Sequence, residues 1–153
     1  MFFTVLEAVY SMSKRLKDCQ RFQHPSSHMP RPEYYHNFAN ITPHAGKWDE
    51  EHHFPVDTIK QTAELGFGAI YVSEESGGIG LGRLEAALIM EAMAYGCPTT
   101  SAFISIHNMA SWMIDSFGGQ DVKERYLPDL VSMEKLASYC LTEPGSGSDA
   151  AGL

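Results

Sequence analysis

The chain has 153 residues, 44% of them hydrophobic and 20% charged, with a formal charge of −8, which suits one folded domain with a true core and excludes a wholly disordered chain. Residues 1 to 32 carry five Lys/Arg against Glu7 and Asp18, so this segment is +3 and the remainder −11; an acidic body of this kind lacks the clustered cations of a nucleic-acid surface. Cys19, Cys97 and Cys140 are odd in number and contain no CxxC, which excludes a disulfide framework and a thiolate zinc site, and no apolar run approaches the roughly 20 residues of a membrane-spanning helix.

In chain order, Phe2, Leu6, Val9, Met12 and Leu16 follow helical spacing, with cations from Lys14 onward. Such a segment reads either as an organelle-targeting presequence or as an ordinary amphipathic surface helix; Glu7 and Asp18 count against the first. His24-Pro-Ser-Ser-His-Met-Pro-Arg-Pro32 cannot be a helix interior and is taken as a linker, and Pro25 keeps His24 and His28 from converging on one metal. A helix is expected over 33–45, with Pro43 giving it an imperfect end. Another is expected over 54–66, started by Pro55, carrying Val56, Ile59 and Ala63 on one face and ended by Gly66.

Residues 67–72 form a short apolar extended piece leading to Ser76-Gly-Gly-Ile-Gly-Leu-Gly-Arg83. The glycines there fail the dinucleotide pattern G-x-G-x-x-G, because Arg83 stands where the third glycine belongs, and they read as a turn before a helix. Residues 83–96 are apolar nearly all round, apart from Glu91, and predict a deeply buried helix. Pro98, Thr99 and Thr100 open a further helix that runs to Phe117 and stops at Gly118-Gly119. Within it, His107 and Asn108 are polar residues in apolar surroundings. They read either as the wall of a pocket or as a helix face hydrogen-bonded inside the core. Residues 121–131 predict an amphipathic helix that Pro128 bends or shortens. Leu136, Ser138, Cys140 and Thr142 then alternate with Ala137, Tyr139 and Leu141 as a strand would.

The strand leads into Pro144-Gly-Ser-Gly-Ser148, which composition alone would make a flexible turn. No G-x-S-x-G elbow is present to support serine hydrolase chemistry. The order of residue types says more. Cys140-Leu-Thr-Glu-Pro-Gly-Ser-Gly-Ser-Asp-Ala-Ala-Gly152 resembles the first signature of the acyl-CoA dehydrogenase family at every constrained position. From about Tyr35 onward, Asn37-Phe-Ala39, Phe54-Pro-Val-Asp57, Leu65-Gly-Phe-Gly68, Gly77-Gly-Ile-Gly-Leu81 and Ser105-Ile-His-Asn108 are similar to the family's N-terminal helical domain. Phe103-Ile-Ser-Ile-His-Asn-Met109 and Trp112-Met-Ile-Asp-Ser-Phe-Gly118 look most like the branch that oxidises isobutyryl-CoA in valine breakdown.

The resemblance implies a mainly α chain: an N-terminal extension and linker (1–32, with a transit peptide as one reading), the family's N-terminal helical domain (33–134), and the first strand and flavin-binding loop of its middle β domain (135–153). It also implies FAD as cofactor, taking a hydride from Cβ of an acyl-CoA while a carboxylate removes the Cα proton. The flavin-contacting residues would be Tyr139, Cys140, Leu141, Thr142, Glu143, Pro144, Gly145, Ser146, Gly147 and Ser148, with Ser148 also meeting the substrate's pantetheine arm, and residues 99 to 117 lining one side of the acyl pocket. No metal is implied. The family's pattern puts the catalytic glutamate beyond Leu153, so no residue here is assigned as the base. Electron-transferring flavoprotein as acceptor, a homotetramer at full length and the mitochondrial matrix follow by the same resemblance. The 153 residues are expected to be a fragment, a truncated gene model or a shortened isoform that alone neither holds FAD nor oxidises isobutyryl-CoA. The alternative is a non-catalytic helical module that joins full-length subunits through the unpaired strand 136–142.

Overall fold

A computed structural model describes residues 41–152. The presequence and linker readings, and the part of the expected 33–45 helix before Ile41, lie outside the described residues. Five α-helices follow in order: α1 (Thr42–Glu50), α2 (Val56–Ala63), α3 (Arg83–Gly96), α4 (Pro98–Phe117) and α5 (Gln120–Val131), with single 3₁₀ turns at Glu74–Ser76 and Ala150–Gly152. This is a mainly helical fold of the kind the resemblance implied.

α1 departs from expectation. Pro43 sits in its first turn instead of ending it, and the helix runs on to Glu50. A proline costs nothing in a first turn, where the missing N–H would have had no partner. In α2, Asp57 lies in the first turn and Lys60 in the last, each matched to the helix dipole, while Ile59 and Thr62 are buried. Gly66 then takes φ 81°, a left-handed turn that glycine adopts without strain.

Residues 67–72 are apolar and buried apart from Tyr71, which is half-buried, yet they form no strand. Their main-chain groups are satisfied in other ways. Ile79 N–H donates to the Ala69 carbonyl (3.1 Å), Leu81 N–H to Ile70 (2.8 Å) and Gly80 N–H to Val72 (2.9 Å). Gly68 lies against the end of α5, where an added Cβ would stand 2.5 Å from the Val131 carbonyl and 3.1 Å from Met133 Cγ.

α3 and α4 form the central antiparallel pair, joined through Cys97 in extended conformation (φ −158°), whose thiol accepts from Thr100 N–H at the start of α4. α3 buries only one face, made by Ala86, Ile89, Ala92, Met93 and Gly96. Leu84 is 55% and Tyr95 47% exposed, and Ala87 and Glu91 share that outer row. The expectation of a deeply buried α3 is therefore corrected: small residues let α4 approach on one side, and the other side is left uncovered among the described residues. Pro128 does not shorten α5, which continues to Val131. The chain then turns at Met133, whose φ of 55° is left-handed and whose side chain is fully buried near the Thr62 hydroxyl (3.6 Å). The backbone cost of about 1–2 kcal/mol is offset by burial of a Met side chain at about 1.5–3 kcal/mol.

The expected strand over 136–142 is also corrected. These residues are non-helical and join no strand ladder among the described residues, and a strand is defined by its partner.

Candidate functional site

α4 organises the structure around it through an unusual stripe. Thr100, Ser101, Ile104, His107, Asn108 and Ser111 are its buried residues, and all but Ile104 are polar. No buried side-chain polar atom among the described residues lacks a partner. Ser101 Oγ donates to the Met90 carbonyl of α3 (2.9 Å), and Ser111 Oγ to the carbonyl of His107 (2.9 Å). Asn108 works in both directions: its Oδ1 accepts from Ile70 N–H (2.6 Å), while Nδ2 donates to the carbonyls of Phe67 (2.6 Å) and Ile104 (2.9 Å). The bridge to Ile70 and Phe67 replaces the ladder that the 67–72 segment lacks.

His107 spans two other segments. Nε2 lies 3.0 Å from the Leu130 carbonyl at the end of α5, and Nδ1 accepts from Ala137 N–H at 3.0 Å. A carbonyl only accepts and an amide only donates, so the proton sits on Nε2 and the ring is neutral. Burial holds its pKa below the ordinary histidine range, against the pull of the Leu130 and Gly68 carbonyls toward the charged form. Of the two readings open for His107 and Asn108, the structure takes the hydrogen-bonded core.

At the far end of α4, Asp115 ties the 73–76 turn to the helix. Its carboxylate accepts from Ser76 Oγ (2.6 Å), Ser73 N–H (2.9 Å) and Ser73 Oγ (3.3 Å), with Lys123 Nζ 3.8 Å away. Burial, the largest single influence, would raise this pKa. The Ser76 and Ser73 hydrogen bonds and Lys123 together outweigh it and hold the carboxyl below its usual value. Beside it, the Arg83 guanidinium lies 4.3 Å from the Tyr71 ring and 4.8 Å from the Trp112 ring, a double cation–π contact that joins the start of α3 to α4. Neither anchor was foreseen. In the sequence Asp115 is marked only by its position inside an apolar run, and Arg83 only by standing where a glycine motif would need its third glycine.

Residues 139–148 leave the bundle past Ala137. Tyr139, Cys140, Thr142, Glu143, Pro144, Gly145, Gly147 and Ser148 are exposed, and Leu141 and Ser146 half-buried. Glu143 and Ser146 close a tight turn through two main-chain bonds (2.9 and 3.1 Å), with Pro144 and Gly145 at its tip. Ser146 Oγ donates to the Asp149 carbonyl, and Gly152 N–H to the same oxygen (3.1 Å), curling the loop on itself. The ten residues therefore form one continuous outward-facing loop. They line neither of two surface clefts of about 240 and 330 Å³, one beside Trp48, His53 and Thr100 and the other beside Asp115 and Lys123.

The donor set fits a flat, electron-rich group. The N–H groups of Gly145, Gly147 and Ser148 and the hydroxyl of Thr142 are engaged by no hydrogen bond among the described residues. A Cβ on Gly145 or Gly147 would meet nothing within 4 Å, and neither takes a positive φ. Neither crowding nor handedness within the described residues calls for glycine there, and the loop is open enough for a bound group to reach its main chain.

Residues 36–134 match the family described as acyl-CoA dehydrogenase, N-terminal domain, and the chain belongs to that family. It is similar to a protein named isobutyryl-CoA dehydrogenase, mitochondrial, from Bos taurus, with 55% identity over 119 residues, covering 76% of this chain and 29% of that protein. Its namesake in Dictyostelium discoideum is 59% identical over 113 residues, 74% of this chain and 27% of the relative. The short-chain specific acyl-CoA dehydrogenase, mitochondrial, of Sus scrofa is 33% identical over 144 residues, 88% of this chain and 35% of the relative. The chain thus spans about a third or less of the curated relatives it matches.

Proposed function

We propose that these residues are the N-terminal helical part (33–134) and the opening of the middle domain (135–153) of an FAD-dependent acyl-CoA dehydrogenase acting on a short branched acyl-CoA, isobutyryl-CoA, in valine breakdown. The observation that carries this is the identity of 55–59% to two proteins named isobutyryl-CoA dehydrogenase, joined to the family signature at 140–152. Bound FAD would supply the hydride acceptor. This chain's share is to hold it: Tyr139 to Ser148 face the flavin, the Thr142 hydroxyl and neighbouring N–H groups stand where charge gathers on reduction, and Ser148 also meets the pantetheine arm. The base comes from the portion of the family fold that these residues do not match. Electron-transferring flavoprotein as acceptor, a tetrameric whole protein, residues 1–32 as a transit segment with linker, and the mitochondrial matrix complete the proposal; the relatives' names support the organelle.

The test uses two proteins. The 153-residue chain purified alone is colourless and leaves isobutyryl-CoA unchanged. Grafted in place of the matching segment of the Bos taurus relative, it gives a yellow protein whose flavin bleaches with isobutyryl-CoA. A colourless graft, or one bleached only by straight-chain substrates, overturns the assignment. A second reading, association with full-length subunits by strand addition, is favoured by one observation: apart from the Ala137 N–H held by His107, the main chain of residues 136–142 joins no ladder among the described residues. Co-purification of the tagged chain with the full-length relative, abolished by proline at Ser138, tests it.

A further inference from the structure

Among the described residues, the last hydrogen bond from the tail to the helical bundle is Ala137 N–H to His107 Nδ1. Beyond it, the bonds at Glu143, Ser146, Asp149 and Gly152 are internal to the loop. Upstream, Lys135 N–H holds the Asp129 carbonyl (3.0 Å) and Leu136 packs at the edge of the core. The same imidazole grips Leu130 at the end of α5 through its other nitrogen. A single ring therefore couples the end of one helix to the departure of the tail, from the middle of a third element.

We propose that His107 is a positioning residue: its neutral Nε2–H ring fixes where, and in which direction, the chain leaves the bundle toward residues 139–148. A protonated ring presents N–H on both nitrogens, so Nδ1 then opposes the Ala137 N–H instead of accepting from it. Protonation and deletion of the ring both release the tail at Ala137; deletion also frees the Leu130 carbonyl, which protonation leaves held.

The surroundings make the ring the titrating part. It faces the Leu130 carbonyl of α5, the Gly68 carbonyl of the 67–72 segment, the Ala137 N–H of the connector and the Phe103 ring of α4 (6.4 Å between centroids). No charged group contributes to its shift. The charged groups on the connector are already paired, Glu134 with Lys60 (2.7 Å) and Lys135 with Asp129 (2.6 Å), and Asp115, further along α4, with the 73–76 turn.

The purpose assigned to this device rests on the flavin reading of 139–148, but the hydrogen bonds do not. The test contains no flavin, so the two can fail separately. In the 153-residue chain, hydrogen exchange is followed at Ala137 N–H, with Ile70 N–H, held by Asn108 on the same helix, as internal reference. His107→Phe speeds Ala137 exchange at least about tenfold relative to Ile70, and His107→Gln, which keeps one donor and one acceptor, restores protection. Wild-type protection at Ala137, corrected for intrinsic exchange, falls as the pH drops below 6.5, while that of the Gln variant does not. Nitrogen shifts of the ring report the Nε2–H form. Unchanged Ala137 protection in a folded Phe variant, or an Nδ1–H ring, overturns the proposal. Should the Phe variant unfold, the Gln variant decides: a pH response at Ala137 identical to wild type overturns it, and a flattened one upholds it.

Discussion

Asn108 makes the clearest statement at the scale of single residues, because one amide serves both a donor and an acceptor on the 67–72 segment. Asn108→Ala removes the acceptor of the buried Ile70 N–H, and is expected to cost about 1–3 kcal/mol in urea unfolding, the cost of one orphaned buried group. His107 and Asp115 predict a pH dependence with two windows. Both pKa values lie lower in the folded chain, so the unfolded chain binds more protons and stability falls on acidification. The histidine contribution is full above the ordinary histidine value of 6.5 and is lost as pH falls through the folded value. The aspartate contribution is full above 3.8 and is lost below it. Thermal melts from pH 8 to 3 should show both losses; His107→Gln removes the upper one and Asp115→Asn the lower.

At the scale of elements, the joint between the 67–72 segment and the end of α5 tolerates little. Gly68→Ala drives a methyl into the Val131 carbonyl and Met133 side chain, and about 1–3 kcal/mol of destabilisation is expected in denaturant titration. Much of the element pattern was legible in the chain. α4 announced itself by Pro98 at its start and Gly118 after its end, and α2 by Pro55 and Gly66. What misled was always a residue with two uses. Pro43 can close a helix or open one, and only the packing of Ile41 into the core decides. The alternation over 136–142 reports a strand's two faces but not its neighbour, which no described segment supplies. An apolar α3 reads as buried because hydropathy counts residues and not the surfaces that meet them. Of the loop at 139–148, the residue order was legible and the anchorage was not, since His107 lies 30 positions upstream of the amide it holds.

At the scale of the whole molecule, apolar surface of α3 and α4 stays exposed among the described residues. Phe117 is 76% exposed at the end of α4, touching only Trp112 edge-on among the ring contacts, and Leu84 and Tyr95 stand out from α3. Phe117→Ser should change unfolding free energy by less than about 0.5 kcal/mol while lowering binding of a hydrophobic dye. A large loss of stability would show that this ring belongs to the core. The surface ion pair of Lys60 with Glu134 (2.7 Å) calls for no such weight, as exposed pairs contribute about 0–1 kcal/mol.

The polar stripe on α4 has one more effect. A helix held by grease alone can slip or roll against its neighbours at small cost, since one methyl fills a hole about as well as the next. α4 cannot, because a roll of one residue, about 100°, would strand Ser101, His107 and Asn108 away from Met90, Leu130, Phe67 and Ile70 at once. Three polar side chains thus act as the teeth of a lock whose bolt is the helix, and the surrounding hydrocarbon is free to drift in sequence without moving it.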